Sequence, residues 1–179
     1  KIKVMKSLFE LLEVEKEKPQ YQIYCDMDGV LTDFEERFEH FSGMKPEQYE
    51  AKHGAAGFWE LIDNKVGVKF WVGMGWMSGG RELWNFISKY DAKLLSSPSR
   101  HDNSRLGKNI WVKNNLSPKP KLIFAYSADK QKYANPNAIL IDDKKSNIDQ
   151  WEASGGIAIR CLHGNVAPVL AKLKELGYE

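Results

Sequence analysis

Short apolar runs alternate along the chain with longer stretches of helical spacing. The runs rich in β-forming residues, which predict strands, lie at 21–25, 92–95, 138–141 and 156–161. Apolar positions recur at helical spacing over 81–89, 104–114, 146–153 and near 166–176. Strands that alternate with helices favour right-handed crossovers. The sequence therefore predicts an α/β fold with a doubly wound, Rossmann-like parallel sheet that is covered on both faces.

One interval interrupts this alternation. Residues 34–77 are rich in Phe, Trp, Gly and Met, and we interpret them as an insertion standing over the carboxyl edge of the sheet. An amphipathic pattern near 8–14 predicts a short helix before Pro19. The expected division is an N-terminal helix or extension at 1–20, a core at 21–33 and 78–179, and the insertion at 34–77.

Carboxylates directly follow two of the predicted strands. Asp26 and Asp28 stand two residues apart after the first run. Asp142 and Asp143 follow the third. A single Asp at a strand end is more often a turn or helix cap, but four at one sheet edge would repel one another unless a cation lay between them. Mg²⁺ takes such oxygen ligands, so the pattern predicts a Mg²⁺ site.

Hydroxyl and ammonium groups near the same edge could hold a phosphate. Ser96 and Ser97 follow the second run and offer hydroxyl and backbone N–H groups, although Ser-Ser-Pro is also common turn chemistry. Lys132 stands ten residues before Asp142 and could neutralise a phosphoryl group, or it could be one of several solvated lysines. Taken alone, neither signal identifies a site.

Composition and charge exclude several classes of protein. The chain has 179 residues, 42% hydrophobic and 28% charged, which is typical of a globular domain. Its net charge of +2 is too small to hold a long nucleic acid by electrostatics. The longest apolar runs fall short of the ~20 residues that cross a bilayer, so we expect no membrane partner. Residues 1–9 lack the apolar stretch of a signal peptide, which predicts a cytoplasmic protein.

In their order, these motifs resemble those of the haloacid dehalogenase-like (HAD) phosphohydrolases. The similar segments are residues 24–34 (YCDMDGVLTDF) for the first motif, 94–98 (LLSSP) for the second, Lys132 for the third and 141–143 (IDD) for the fourth. More narrowly, Val30, the Ser-Pro of the second motif and the pairs at 58–59 (FW) and 111–112 (WV) resemble the 5'(3')-deoxyribonucleotidase branch. Two positions depart from that branch, because Ser96 stands where Thr is usual and Lys144 where Arg is usual.

The resemblance implies a reaction mechanism. Asp26 would attack phosphorus to form an aspartyl phosphate, and Asp28 would protonate the leaving oxygen and then activate water. Ser96, Ser97 and Lys132 would bind the phosphoryl group.

The resemblance also implies the metal ligands. Mg²⁺ would be held by Asp26, the backbone carbonyl of Asp28 and the pair Asp142 and Asp143, and which member of that pair binds directly stays open.

By the same resemblance, the insertion is a small helical cap that selects the substrate. Aromatic side chains offer faces on which a nucleobase can stack. Those that align with base-contacting positions of the nucleotidase branch are Phe34, Phe58, Trp59 and Trp71. The alternative is that these rings form the core of the cap itself.

Together these features predict a Mg²⁺-dependent phosphomonoesterase acting on a small phosphomonoester, with a nucleoside monophosphate as the expected substrate. The alternatives are a 3'-phosphatase for nucleic acid ends, a sugar-phosphate phosphatase and a phosphate-binding module without turnover. The small net charge disfavours long DNA, the aromatic insertion disfavours a bare sugar, and the presence of both Asp26 and Asp28 disfavours the binding module. The sequence is compatible with a homodimer.

Overall fold

Five parallel strands form a sheet in the computed structural model, which describes residues 21–179. The strands are β1 (Gln22–Cys25), β2 (Lys93–Ser96), β3 (Leu122–Phe124), β4 (Ala138–Asp142) and β5 (Ile157–Arg160). Their order across the sheet is β3-β2-β1-β4-β5, which puts β1 in the centre. The extension predicted at 1–20, with its helix near 8–14, lies outside the described residues.

Helices flank the sheet and fill the segment after β1. They are α1 (Phe34–Ser42), α2 (Pro46–Trp59), α3 (Val68–Val72), α4 (Gly80–Ile87), α5 (Asp102–Asn115), α6 (Ser127–Lys130), α7 (Lys145–Ala153) and α8 (Ala167–Glu175). A π-helical segment, Glu60–Val66, continues α2. Turns of 3₁₀-helix, Ser88–Tyr90 and Gln131–Tyr133, follow α4 and α6.

Both faces of the sheet are buried, because successive strand residues enter different apolar clusters. In β1, Ile23 and Cys25 belong to the larger cluster, whereas Tyr24 belongs to the smaller one. All five residues of β4 are buried. This two-sided burial explains why the strands of the sheet are continuous apolar runs in the sequence.

The register of the central strands brings their carboxyl ends together. Cys25 in β1 pairs with Ile141 in β4 and with Leu94 in β2. Asp26 follows β1 at once, and its backbone N–H donates to the Ile141 carbonyl over 2.9 Å. The polar residues at the ends of β1, β2 and β4 therefore meet at one edge.

The segment 34–77 leaves and re-enters the core through a short stem. The Asp33 N–H donates to the Gly75 carbonyl over 3.0 Å, and the Met77 N–H donates to the Leu31 carbonyl over 2.8 Å. Between these hydrogen bonds, Thr32 and Trp76 form an antiparallel β-bridge. Both ends of the segment are thus fixed to the chain that follows Asp28.

A glycine lets the end of this segment pack closely on the core. In α5, a Cβ at Gly107 would lie 2.4 Å from the Cβ of Trp71 and 3.1 Å from the carbonyl oxygen of Val68, both of which belong to α3. Real Cβ atoms do not approach one another so closely, so α3 could not keep this position against a larger residue.

The structure confirms the predicted α/β fold with its parallel sheet. The sequence did not predict β3 or α6, since β3 has only three residues and none of them is fully buried. The division into extension, core and cap stays a prediction, although every regular element within 34–72 is helical. Within residues 21–179, no helix is both long enough and apolar enough to cross a membrane.

Candidate active site

A buried lysine lies between two of the strand-end carboxylates. Lys130 is the last residue of α6, and its Nζ is 3.0 Å from Asp26 Oδ1 and 2.7 Å from Asp142 Oδ2. The Asn147 side-chain amide lies within hydrogen-bond distance of both Asp142 oxygens, at 3.1 and 3.0 Å. The Lys144 backbone N–H donates to Asp142 Oδ1 over 2.9 Å. Both oxygens of Asp142 are therefore engaged by donors.

Burial dominates the acid–base properties of this group. It raises the pKa of Asp26 to about 7, with Lys130 opposing the shift and Asp142 adding to it. Burial alone would lower the pKa of Lys130, but Asp26 and Asp142 outweigh it and raise that pKa above its ordinary value. Lys130 is therefore a fixed positive charge, whereas Asp26 is poised to gain or lose a proton near neutral pH.

Asp143 adds a third carboxylate. One oxygen from each of Asp26, Asp142 and Asp143 lies within 4.8 Å of the others. Burial raises the pKa of Asp143 to about 6, and the neighbouring Asp142 adds to the shift. Gly29 has a φ of 81°, and a Cβ there would lie 2.4 Å from Asp143 Oδ2. A glycine at position 29 thus provides both the turn and the space that Asp143 occupies.

A second buried lysine connects Asp28 to the end of β2. The Nζ of Lys108 donates to Asp28 Oδ2 over 2.8 Å, to Ser96 Oγ over 2.9 Å and to the Ser97 carbonyl over 2.8 Å. The Thr32 hydroxyl donates to Asp28 Oδ1 over 2.9 Å. These bonds orient the Asp28 carboxylate and cross-link the ends of β1 and β2.

Lys132 does not lie in this cluster, which corrects the position expected from the sequence. Its side chain is 73% exposed, and its Nζ is 2.7 Å from Asp129 Oδ1 at the surface. The short helix α6 turns Lys130 inward, and the 3₁₀ turn that follows it carries Lys132 outward. The two lysines are separated only by Gln131, so the sequence pattern does not distinguish them.

Sequence reasoning also missed Lys108, although the pattern of α5 contains a signal. The buried residues of this helix are Ser104, Gly107, Lys108, Trp111 and Val112. They follow the spacing i, i+3, i+4, i+7, i+8 that defines one helix face. A lysine on that face, among small and apolar residues, must find a buried partner.

A cavity of about 680 Å³ opens beside the carboxylates. Asp28, Gly29 and Asp143 line it from the sheet edge, and Ser97 lines it from the loop after β2. Ser96 is fully buried and contacts Lys108 behind this lining. The volume lies within the range of cavities that bind small molecules.

The four aromatic residues singled out in the sequence all line this cavity: Phe34, Phe58, Trp59 and Trp71. The Phe34 ring centroid lies 6.3 Å from that of Phe58 and 6.0 Å from that of Trp71, so these rings also pack on one another. Trp59 is 42% exposed and packs edge-on against Phe58, with centroids 5.1 Å apart. Of the four, Trp59 has the most surface available for a ligand.

Hydrogen bonds fasten the π-helical segment to the loop after β2. The Ser99 hydroxyl donates to Asp63 Oδ1 over 2.9 Å, and the Asn103 side-chain amide donates to the Asp63 carbonyl over 2.8 Å. Burial raises the pKa of Asp63, and the Ser99 hydrogen bond opposes that shift. Asp63 therefore anchors the segment to the loop that also carries Ser97.

The three clustered carboxylates fit a hard divalent cation such as Mg²⁺. Their oxygens are close enough to share one ion, and oxygen is the ligand atom that Mg²⁺ prefers. Burial is the largest cause of the raised pKa values of Asp26 and Asp143, so their ionised forms are costly in this site unless a cation is bound there. Within residues 21–179, no side chain donates a hydrogen bond to the Asp143 carboxylate, and a hydrogen bond from its own backbone opposes the pKa rise without cancelling it.

The raised pKa values predict how pH affects the metal-free protein. The folded state holds protons on Asp26 and Asp143 that the unfolded chain releases near its ordinary carboxyl pKa, so folding stability falls as pH rises from about 4 to about 7. Asp26→Asn should remove much of that loss, and Mg²⁺ should raise the unfolding temperature more at about pH 8 than at about pH 5. Thermal unfolding with chelator and with Mg²⁺ measures both effects. An equal Mg²⁺ effect at the two pH values would contradict this account.

Comparison with known proteins finds similarity at the level of structure. No family model matches the chain, and no curated protein matches it by sequence. A predicted phosphatase from Clostridium acetobutylicum is 12% identical, with a TM-score of 0.53 over 90% of this chain and 92% of that one. A predicted HAD-like family hydrolase from Porphyromonas gingivalis is 16% identical, with a TM-score of 0.51 over 88% and 98%.

A third similar structure is a phosphonoacetaldehyde hydrolase-like protein from Oleispira antarctica. It is 12% identical, with a TM-score of 0.50 over 90% of this chain and 87% of that one. At these identities the likeness establishes the fold. The chain therefore has the α/β fold of HAD-like hydrolases.

Proposed function

We propose that this protein is a Mg²⁺-dependent phosphomonoesterase of the HAD type that removes phosphate from a nucleoside monophosphate. One observation carries the proposal. Asp26 lies at the end of the central strand in contact with the fixed charge of Lys130, and Asp28, two residues on, is oriented by Lys108. A candidate acid–base group that lines the cavity thus stands two residues from a candidate nucleophile at the end of the same strand.

Asp26 and Asp143 are the side chains we assign to Mg²⁺, together with the backbone carbonyl of Asp28. Asp142 is assigned a supporting role, because Lys130, Asn147 and the Lys144 amide already engage its oxygens. When bound, Mg²⁺ offsets the charge of the phosphoryl group.

The first half of the reaction forms an aspartyl phosphate. A carboxylate oxygen of Asp26 bonds to phosphorus while the bond from phosphorus to the leaving oxygen breaks, and protonated Asp28 gives its proton to that oxygen. Lys130 donates to a phosphoryl oxygen and offsets charge in the transition state. Ser97, which lines the cavity, is assigned to the phosphate, and Ser96 is assigned to positioning Lys108, from which its hydroxyl accepts a hydrogen bond.

The second half releases inorganic phosphate. Asp28, now ionised, takes a proton from a water molecule whose oxygen attacks phosphorus, and the bond to Asp26 breaks. Lys108 Nζ is 2.8 Å from Asp28 Oδ2 and holds this carboxyl group in place for the step. Asp28 thereby regains the proton it gave up, and Asp26 returns to its free carboxylate.

The cavity supports a nucleotide as the substrate. A bare sugar phosphate would leave the exposed part of the Trp59 ring uncovered, whereas a base can stack on it. Asp33 and Glu35 also line the cavity, and their negative charges disfavour a substrate with several phosphates inside it. One phosphate at the carboxylates and one base at the aromatic side satisfy both constraints.

A substrate panel tests the proposed function. Phosphate release should be measured from nucleoside 5'- and 3'-monophosphates, 3'-phosphorylated oligonucleotides and sugar phosphates, with Mg²⁺ and with chelator. We expect the monophosphates to release phosphate only when Mg²⁺ is present. Asp26→Asn should abolish this release, because an amide is a poor nucleophile. Release from sugar phosphates alone would overturn the nucleotide assignment. No release from any compound would leave a binding module.

Lys130 and Lys132, one buried and one exposed, provide a matched pair of variants. Lys130→Met should abolish turnover and cost ~3–5 kcal/mol of stability, because it leaves the buried carboxylates Asp26 and Asp142 without their cation. Lys132→Met should retain both turnover and stability, since this side chain is exposed. Steady-state rates and urea unfolding measure the two quantities. A greater loss in Lys132→Met than in Lys130→Met would contradict the assignment.

Trp59→Ala tests whether the cavity recognises a base. Losing a stacking partner should remove ~1–3 kcal/mol of binding from a nucleotide and leave a small phosphate ester without a base unaffected. The ratio of kcat/KM for a nucleoside monophosphate to that for the small ester should therefore fall. A parallel decline for both substrates would instead assign Trp59 to the packing of the segment.

A further inference from the structure

A second cavity, of about 470 Å³, adjoins the one at the carboxylates. The two share four lining residues: Trp59, Pro98, Ser99 and Tyr126. The second cavity adds Ala55, Ala56, Asp63 and Arg100. The two cavities therefore adjoin at these four side chains.

Two exposed aromatic rings stand where the cavities meet. Trp59 is 42% exposed and Tyr126 is 44% exposed, so both rings leave surface available to a ligand. Trp59 comes from the end of α2 and Tyr126 precedes α6, so the rings approach from the insertion and from the core. They offer flat apolar faces to a group that passes between the two cavities.

Arg100 supplies the second cavity with a positive charge. Across residues 21–179, it has no hydrogen bond, ion pair or ring contact. The other described arginines each have one, as in the bond of Arg37 to the Phe70 carbonyl, the bond of Arg160 to the Asp143 carbonyl, and the ring contact of Arg81 with Trp76. A guanidinium group with all its donors free is suited to bind a phosphate.

Chain length limits how far Arg100 lies from the reacting centre. Arg100 follows Ser97, which lines the first cavity, by three residues, so their Cα atoms are at most about 11 Å apart. The acidic groups nearby do not form an ion pair with Arg100: Asp63 Oδ1 accepts from Ser99 over 2.9 Å, and Glu60 Oε2 accepts from Asn64 over 2.5 Å. The long side chain of Arg100 can thus reach an anion in the second cavity.

We propose that the second cavity is a subsite for a second phosphate group, carried one nucleoside away from the phosphate that is cleaved. Arg100 binds this second phosphate, and Trp59 and Tyr126 flank the nucleoside between the two. The substrate class is a nucleotide with two separated phosphates, supplied either by a nucleoside 3',5'-bisphosphate or by the end of an oligonucleotide. This inference rests on the proposed phosphomonoesterase activity on nucleotides.

The test compares substrates that differ by one phosphate. Phosphate release is measured for a nucleoside 5'-monophosphate, the matching 3',5'-bisphosphate and a 5'-phosphorylated dinucleotide, in wild type, Arg100→Ala, Arg100→Lys and Lys113→Ala. Lys113 is an exposed lysine near the far end of α5, so its removal controls for net charge. Binding of the same ligands to Asp26→Asn gives a readout that does not need turnover.

We expect wild type to prefer at least one of the two-phosphate substrates over the monophosphate by roughly tenfold in kcat/KM. Arg100→Ala should remove that preference without changing kcat/KM for the monophosphate, Arg100→Lys should keep part of it, and Lys113→Ala should keep all of it. The preference should also shrink with added salt. If only the dinucleotide is preferred, the occupant is an oligonucleotide end; if only the bisphosphate is, the occupant is a free nucleotide.

Two other results would overturn the inference, and they are distinguishable. If the monophosphate is hydrolysed but neither two-phosphate ligand is preferred or bound more tightly, Arg100 is a solvated surface residue and the proposed function stands. If only phosphate esters without a base are hydrolysed, the nucleotide assignment fails and the subsite fails with it.

Discussion

Asp26 and Asp142 end adjacent strands in the buried centre of the sheet, where their charges repel strongly because little water screens them. Lys130 compensates by placing its ammonium group within 3.0 Å of one carboxylate and 2.7 Å of the other. Removing that cation would leave two unpaired buried charges. This contact fixes the end of α6 between the ends of β1 and β4.

A second buried lysine, Lys108, forms an ion pair with Asp28 and contacts the end of the neighbouring strand β2. Lys108 reaches from α5 to Asp28, Ser96 and the Ser97 carbonyl, so the groups that follow β1 and β2 share one cation. Lys108 and Lys130 therefore approach the sheet edge from different helices. Asp28 therefore lines the cavity with its carboxylate already oriented, which reduces the reorganisation needed when charge develops on a substrate.

The fold was predictable from the sequence where elements are long or fully buried. The runs that became β1, β2 and β4, and the strand ends carrying Asp26 and Asp142, follow from apolar patterning and from the geometry of parallel sheets. β3 was missed because three half-buried residues carry no periodic signal. Lys132 was expected in place of Lys130 because lysines two residues apart look alike until a short helix turns one of them inward. Lys108 was missed because a lysine in a polar helix is ordinarily solvated; its spacing from Ser104, Gly107, Trp111 and Val112 indicates one helix face, and the packing of α5 against α3 shows that this face is buried.

The central claim is that Asp26 forms a covalent bond to phosphorus. Borohydride reduces an aspartyl phosphate to homoserine, so the protein should be quenched with borohydride during turnover of a nucleoside monophosphate and its peptides sequenced by mass spectrometry. The account predicts homoserine at position 26, only in samples that contain both substrate and Mg²⁺. Homoserine at another aspartate, or its absence at every position while phosphate is being released, would contradict the account.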